Sequence, residues 1–264
     1  YRLYEEKNNG IYSMANKTYI LIWKTVDRCI LLEDDQIPSV SYFRFCAELL
    51  EKYKDDMRIE CICGFNHLGV YKDVDYDYFF SRQGSIWGIA TWRNRYMQYG
   101  DFSYGESAYT MNLLKCRTKH NRIAWRRLNA YAKQSTYEGH VAGNEFWIEF
   151  NMYSQNRLQI IPQKNMISNI GATGNSSHSA EINKLPRGIR KVFNSKVYDV
   201  DFPLKINDYV IPDVKYEKKR NRIMGYNYSI INFYRKFERF VRILASGDMM
   251  LLKKKLKRNI QIEK

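Results

Sequence analysis

The stretch "CILLEDDQIP" (residues 29–38) sets an apolar run, Cys29 to Leu32, directly against three carboxylates, Glu33, Asp34 and Asp35. A short unbroken apolar run predicts a strand buried on both faces, so the acids stand at its C-terminal end. Before it, "SMANKTYILIWKTV" (13–26) predicts a helix opening on Ser13 with one apolar face. After it, Pro38 turns the chain and Ser39 is placed to cap a second helix, in which Phe43, Cys46, Ala47 and Leu50 recur at helical spacing until "KYKDD" (52–56). "RIECICGF" (58–65) alternates at period two and predicts another strand. Helix, strand, helix, strand is the order of an α/β sheet.

Further along, "VYKDVDYDYFF" (70–80) reads as a loop or short hairpin, and "SIWGIATWRNRYMQYG" (85–100) enters another helix. Residues 106–158 read as mainly helical, "LQIIP" (158–162) as a short strand and 163–213 as turns. The chain of 264 residues is 45% hydrophobic, enough for one or two domains with a real core, and 15% aromatic, which argues against disorder. No apolar run reaches the 18 residues of a membrane span. The five cysteines are odd in number, and Cys61 and Cys63 form C-x-C rather than the C-x-x-C of zinc and redox sites; they read as small core thiols of a reducing compartment.

Charge is unevenly spread. The formal net charge is +15, yet residues 214–264 hold 15 Lys and Arg against 4 Asp and Glu, and residues 1–213 hold 28 against 24. The chain therefore divides into a nearly neutral body, 1–213, and a basic tail, 214–264. A nucleic-acid binder would spread its basic residues over the body, and no nucleic-acid motif is present.

Carboxylates at the C-terminal end of an α/β strand line the crevice where such sheets bind ligands. Adjacent carboxylates repel one another, and a divalent cation offsets the repulsion; Mg²⁺ or Mn²⁺ takes hard oxygen ligands and keeps waters or phosphates in its shell. The plain alternative is a solvated strand end near a helix N-terminus. Two further segments invite a similar reading. In "HVAGNEFWIEF" (140–150) Glu145 stands beside Phe146 and Trp147, and apolar company raises a carboxyl pKa towards that of a general base; the alternative is a surface glutamate, which Glu149 fits better. "SNIGATGNSSHS" (168–179) is a loop fit to wrap a phosphate with backbone N–H groups, and its His178 is either a ligand or structural.

These pieces occur in a recognisable order: LEDD-x-x-P-x-x-x-Y-F-x-F-C-x-E-L-L-x-x-Y from Leu32, YFFSR-x-x-x-IWG-x-ATWR from Tyr78, and IIP-x-x-N-x-x-SNIG-x-x-G-x-x-x-H from Ile160. Over residues 10–180 the sequence resembles bacterial GT-A-type nucleotide-sugar glycosyltransferases of the hemolytic-protein-like group, and more distantly the N-acetylglucosaminyltransferase I family. The resemblance implies a GT-A, Rossmann-like α/β fold. It makes Glu33-Asp34-Asp35 the local D-x-D motif, with Asp35 on the metal, Mn²⁺ or Mg²⁺, and Glu33 and Asp34 towards the donor, a UDP-sugar in preference. Trp87 and Gly88 fall in the donor-binding segment, and Trp92, Asn169 and Gly171 in the acceptor side of the cleft, with a core role the alternative for Trp92. Glu145 takes the catalytic-base position, where the family has Asp, and His178 matches the loop histidine as a second metal ligand. The family places two or three βα units before its acidic strand, whereas 28 residues precede the apolar run here. The chain thus reads either as a fragment or as a fold lacking its first βα units and part of the donor site.

In the tail, Ile230, Phe233, Phe237, Phe240, Val241 and Leu244 recur at helical spacing with Arg235, Lys236, Arg239 and Arg242 between them, and "LLKKKLKR" (251–258) follows. The helix reads either as a cationic membrane-surface element attracted to anionic lipid or as a terminal helix packing its apolar face on the body. The resulting expectation is an inverting glycosyltransferase, cytoplasmic and peripheral at the inner face of the membrane. It would move a sugar to a glycan, lipid-linked or protein acceptor in bacterial surface polysaccharide or glycoconjugate synthesis. A catalytically degenerate glycan- or membrane-binding protein is the alternative. A metal-dependent phosphoesterase would need more His and Asp ligands than these motifs supply.

Overall fold

A computed structural model describes residues 2–7, 11–96, 103–119, 121–133, 136–137, 140–141, 144–172 and 182–250. Its helices are α1 (Ile11–Thr25), α2 (Ser41–Lys52), α3 (Arg93–Tyr96), α4 (Ala108–Arg117), α5 (Arg122–Ala132), α6 (Asn144–Ser154), α7 (Arg187–Arg190), α8 (Val214–Met224) and α9 (Ser229–Ala245). Its strands are β1 (Arg28–Leu31), β2 (Gln36–Pro38), β3 (Ile59–Cys63), β4 (Tyr78–Ser81), β5 (Ile89–Trp92), β6 (Thr136–Tyr137), β7 (His140–Val141), β8 (Leu158–Pro162) and β9 (Ile167–Asn169). The main sheet is mixed, in the order β1-β5-β3-β8-β4. β3 and β8 are parallel, while β5 is antiparallel to both β1 and β3 and β4 is antiparallel to β8. Consequently β1, β3 and β8 all point the same way, and their C-terminal ends meet along one side of the sheet. The molecule is a mixed α/β structure compatible with a Rossmann-like fold.

Neighbouring strand residues point to opposite faces, and both faces are covered. Ala90 and Ile62 join Tyr42, Phe45 and Leu49 of α2 in one core cluster. Ile89 and Cys61 join Trp23, Leu128, Phe146 and Trp147 of α1, α5 and α6 in the other. A sheet covered on both sides explains why β3 is buried at every position rather than at alternate ones. Glu60 is the polar residue in that run. Its carboxylate accepts from Arg157 Nη1 at 2.9 Å and Asn151 Nδ2 at 2.7 Å, so β3, α6 and the residue before β8 meet on one buried group. Arg95, fully buried, donates to the carbonyls of Tyr53, Lys54 and Asp56 just past α2 and to that of Ile59. A cation there satisfies carbonyls that the helix end leaves open.

Several expectations change. "YFFS" is β4 rather than a loop: Tyr78 and Phe80 pack on Tyr53, while Phe79 packs on Tyr71 and Tyr216. "IATW" is β5 rather than the start of a helix, which begins only at Arg93. Ser39 does not cap α2. The carboxylate of Asp199 accepts from the Ser41 N–H at 2.9 Å, a service done from 158 residues away. All five cysteines are free thiols. No helix among the described residues is long and apolar enough to cross a membrane.

The basic segment does not begin as a tail. Tyr216 of α8 is fully buried, Glu217 accepts from the Arg82 N–H at 2.8 Å, and Arg220 donates to Gly84 O at 3.0 Å, so α8 belongs to the packed body. α8 ends at Gly225, whose φ of +74° is the left-handed cap conformation. Arg235 of α9 reaches in beside it and donates to the carbonyls of Ile223 and Arg222. Glu238 accepts from the Arg187 N–H at the start of α7, at 3.0 Å, and from Arg242 Nε at 2.8 Å. These contacts turn the charged side of α9 to the body. Ile230, Phe233, Tyr234, Phe237, Phe240, Val241 and Leu244 face outward and are exposed; Ile243 alone in this helix is fully buried. The reading in which the helix packs its apolar face on the body is therefore overturned.

Truncating Glu60 to Ala leaves Arg157 buried without its counter-charge, so urea unfolding should show a loss of about 3–5 kcal/mol.

Candidate functional site

Beyond Leu31 the chain leaves the sheet through the acid run and enters β2, which pairs antiparallel with β9, Gln36 opposite Asn169. β9 follows β8 closely, so a strand pairing joins the exits of β1 and β8. The Ile170 N–H donates to Asp35 O at 2.9 Å and extends it. On the side chains, Asn169 Nδ2 donates to Asp35 Oδ1 at 3.0 Å, and the Gly171 N–H donates to Asn169 Oδ1 at 2.9 Å. Asn169 is thereby fixed at both ends of its amide, and it fixes one oxygen of Asp35. A β-carbon at Gly171 would lie 1.9 Å from Asp35 Oδ2, so any larger residue there has to displace this carboxylate.

Gly88 enters from the other side. Its N–H donates to Gln36 Oε1 at 2.8 Å, its carbonyl accepts from the Gly64 N–H, and its φ is +60°. A β-carbon there would strike Ile167. Trp87, half-buried, stacks edge-on against Phe65 at 4.8 Å and lies 5.3 Å from the ring of Phe193. Asp35, Trp87, Gly88, Asn169 and Gly171 are thus brought to one edge of the sheet. Glu33 and Asp34 are exposed beside them and Asp35 is half-exposed. Burial first, and then the neighbouring charge of Asp34, hold the Asp35 carboxyl above the usual aspartate value, against the hydrogen bond from Asn169.

Trp92 does not join this group. It sits at the far end of β5, opposite Arg28 at the start of β1, with its ring under the Arg95 guanidinium at 4.4 Å and its Nε1 on Leu50 O at 3.0 Å. It is a core residue, and its place in the cleft is withdrawn. Glu145 lies in the first turn of α6, and its side chain lies outside the described residues. α6 leads through three residues into β8 and so runs back along the sheet. Trp147 and Ile148 border a small cavity that Leu31, Ile89, Glu60 and Tyr96 also line, and Trp147 packs on the Tyr96 ring at 4.8 Å. Glu149 is mostly buried and faces Arg127 at 3.5 Å. His178 lies outside the described residues.

The sequence reading missed Gln36. It is buried, its Oε1 is used by Gly88, and its Nε2 is buried with no hydrogen-bond partner among the described residues. A polar residue directly after the acid run was the available signal. Ile37, Val40, Phe43 and Ile170 are exposed around the acids and give the site an apolar rim.

Among the described residues no group of three or more His, Cys, Asp or Glu converges as a metal cage. The donors present are instead one oriented carboxylate with exposed acids next to it. Such a set fits a hard cation that completes its shell with water and phosphate oxygens. No family model matches this chain, and no curated protein matches it.

Folding raises the Asp35 pKa, so the folded chain holds this proton more tightly than the unfolded chain does. The stabilising contribution is full below the unfolded value of about 3.9 and is lost as pH rises through the folded value. Asp35→Asn keeps an acceptor for Asn169 and removes the charge. In metal-free buffer the variant should melt above wild type at neutral pH, and the gain should shrink as melting curves are taken towards pH ~4.

Proposed function

We propose that the protein is a metal-dependent inverting glycosyltransferase of GT-A type, using a nucleotide-diphospho-sugar, in preference a UDP-sugar, and working peripherally at the inner face of the membrane in surface-glycan or glycoconjugate synthesis. The observation that carries the proposal is the carboxylate of Asp35, oriented by Asn169 and hemmed by Gly171 at the C-terminal edge of the sheet. Open α/β sheets bind ligands at such an edge. The resemblance of the acid run and of the 160–178 segment to the transferase motifs supports the same reading.

In this reading Asp35, with His178, would hold Mn²⁺ or Mg²⁺; the cation supplies positive charge to the donor diphosphate. Glu33 and Asp34 face the ribose and sugar, and Trp87 offers an aromatic face to sugar C–H groups. Glu145 takes the proton of an acceptor hydroxyl while that oxygen bonds to the anomeric carbon. The bond from that carbon to the diphosphate oxygen breaks in line, and the nucleoside diphosphate leaves with the electron pair. A second reading, a binding protein without turnover, is favoured by Glu145 standing where the transferase motif has Asp.

A thermal-shift screen of nucleotides and nucleotide-sugars, with and without Mn²⁺, tests the proposal. At a hundredfold excess over Kd a ligand adds about 2.7 kcal/mol, or several degrees for a domain of this size. The expected result is a Mn²⁺-dependent shift with one nucleotide family, absent in Asp35→Ala. No shift with any nucleotide in wild type would sink the transferase reading. A shift without turnover of the nucleotide-sugar would select the binding protein.

Gly171→Ala tests the site geometry separately. The added methyl must displace the Asp35 carboxylate, and the same screen should show at least about tenfold weaker nucleotide binding, an apparent loss of ~1.4 kcal/mol, with the fold intact by circular dichroism.

A further inference from the structure

α9 is amphipathic, and it is mounted with its charged side down. Arg235 and Glu238 bind it to the ends of α8 and α7, and Ile243 is its fully buried apolar residue. The outward stripe is left uncovered by the described residues: Ile230 is 75% exposed, Phe233 70% and Phe237 60%, with Phe240 and Leu244 continuing the line. Over 17 residues the stripe is about 25 Å long. We propose that this stripe is a docking surface for an anionic lipid bilayer, with α9 lying in the plane of the interface.

The occupant follows from charge. α9 carries one carboxylate, Glu238, and it is turned to the body against Arg242 and the Arg187 N–H. The face presented outward therefore has no acid on it. Lys236 is exposed on the border of the stripe, and five more basic residues follow within 253–258. A second copy of this chain would bring Lys236 and the basic run 253–258 up against their own like charges. An acidic protein would satisfy the charge but not call for a line of phenylalanines. A bilayer interface takes both at once: aromatic and aliphatic side chains enter the acyl boundary, and cations stay among anionic headgroups. The helix is too charged to go deeper, and no described helix qualifies as a membrane span.

This inference deepens the peripheral placement proposed above by naming the surface, and it needs neither a nucleotide nor turnover. Co-sedimentation of the full chain with vesicles of phosphatidylcholine alone, and of phosphatidylcholine with phosphatidylglycerol, tests it. Wild type should pellet with the anionic vesicles and stay in solution with the neutral ones. Phe233→Ser with Phe237→Ser should weaken partitioning at least about tenfold. Both residues are exposed, so melting temperature and any nucleotide response should be unchanged.

Three results would each overturn the proposal. The first is failure of wild type to bind anionic vesicles. The second is binding of the double variant equal to that of wild type, which would place the contact in the basic run alone. The third is a wild-type dimer in light scattering that the double variant dissolves, which would make a second copy the occupant. An empty nucleotide screen leaves all of these readouts intact, so failure here and failure of the transferase reading are told apart.

Discussion

One buried carboxylate organises the sheet. Glu60 sits at the second position of β3 and draws in Arg157, just before β8, and Asn151 on α6. Parallel strands need a crossover, and α6 is the last helix before β8, so the three partners mark where the crossover closes. Placing these charges inside is costly, and a hydrophobic trio of equal volume would be no less stable. The ion pair sits where the β3–β8 register shifts, between Ile59 opposite Leu158 and Cys61 opposite Gln159, and it ties the two strands together at that irregularity. With the strands so joined, β1, β3 and β8 release the chain on the same side, and the acid run and the 169–171 turn meet there.

The edge so created is held apart from the core by backbone rather than by packing. The β2–β9 pairing, the Ile170 N–H on Asp35 and the Gly88 N–H on Gln36 are short-range hydrogen bonds around a carboxylate that burial and Asp34 both disfavour. A core would not tolerate such a group without a partner. Tolerating it at a polar edge, oriented by one amide, is the kind of local conflict that binding sites carry at the expense of stability. α9 carries a conflict of another sort, with apolar area left in water while charged groups are used to anchor the helix.

Much of this was legible in the sequence, and the reasons it was not elsewhere are specific. β1 and α2 stood out because an unbroken apolar run and a helical period leave little choice. The segments 33–35, 87–88 and 169–171 were singled out as one site and do lie together. "IATW" was read into a helix because so short a run carries no usable period, and its strand character comes from β1 and β3 on either side. "YFFS" was hidden among Tyr and Asp; it is a strand because Tyr53 and Tyr216, distant in sequence, cover its two faces together with the nearer Tyr71. The cap from Asp199 was out of reach for the same reason. Periodicity marked the two faces of α9 correctly but holds no information about which face meets the body. That was decided by where Arg235 and Glu238 find helix ends. Trp92 was misplaced by following a motif through a strand, since the residues at its two ends are separated by the whole width of the sheet.

The contact between Gly171 and Asp35 explains a detail of the opening motif. The run is Glu-Asp-Asp, and glutamate and aspartate are often exchanged at exposed positions. Position 35 is different, because the Asn169 amide holds one oxygen of its carboxylate and the other stands where a β-carbon at Gly171 would lie. Positions 33 and 34 are exposed. The three acids are equivalent in charge, then, but the last of them alone is tied to the loop that returns from β8.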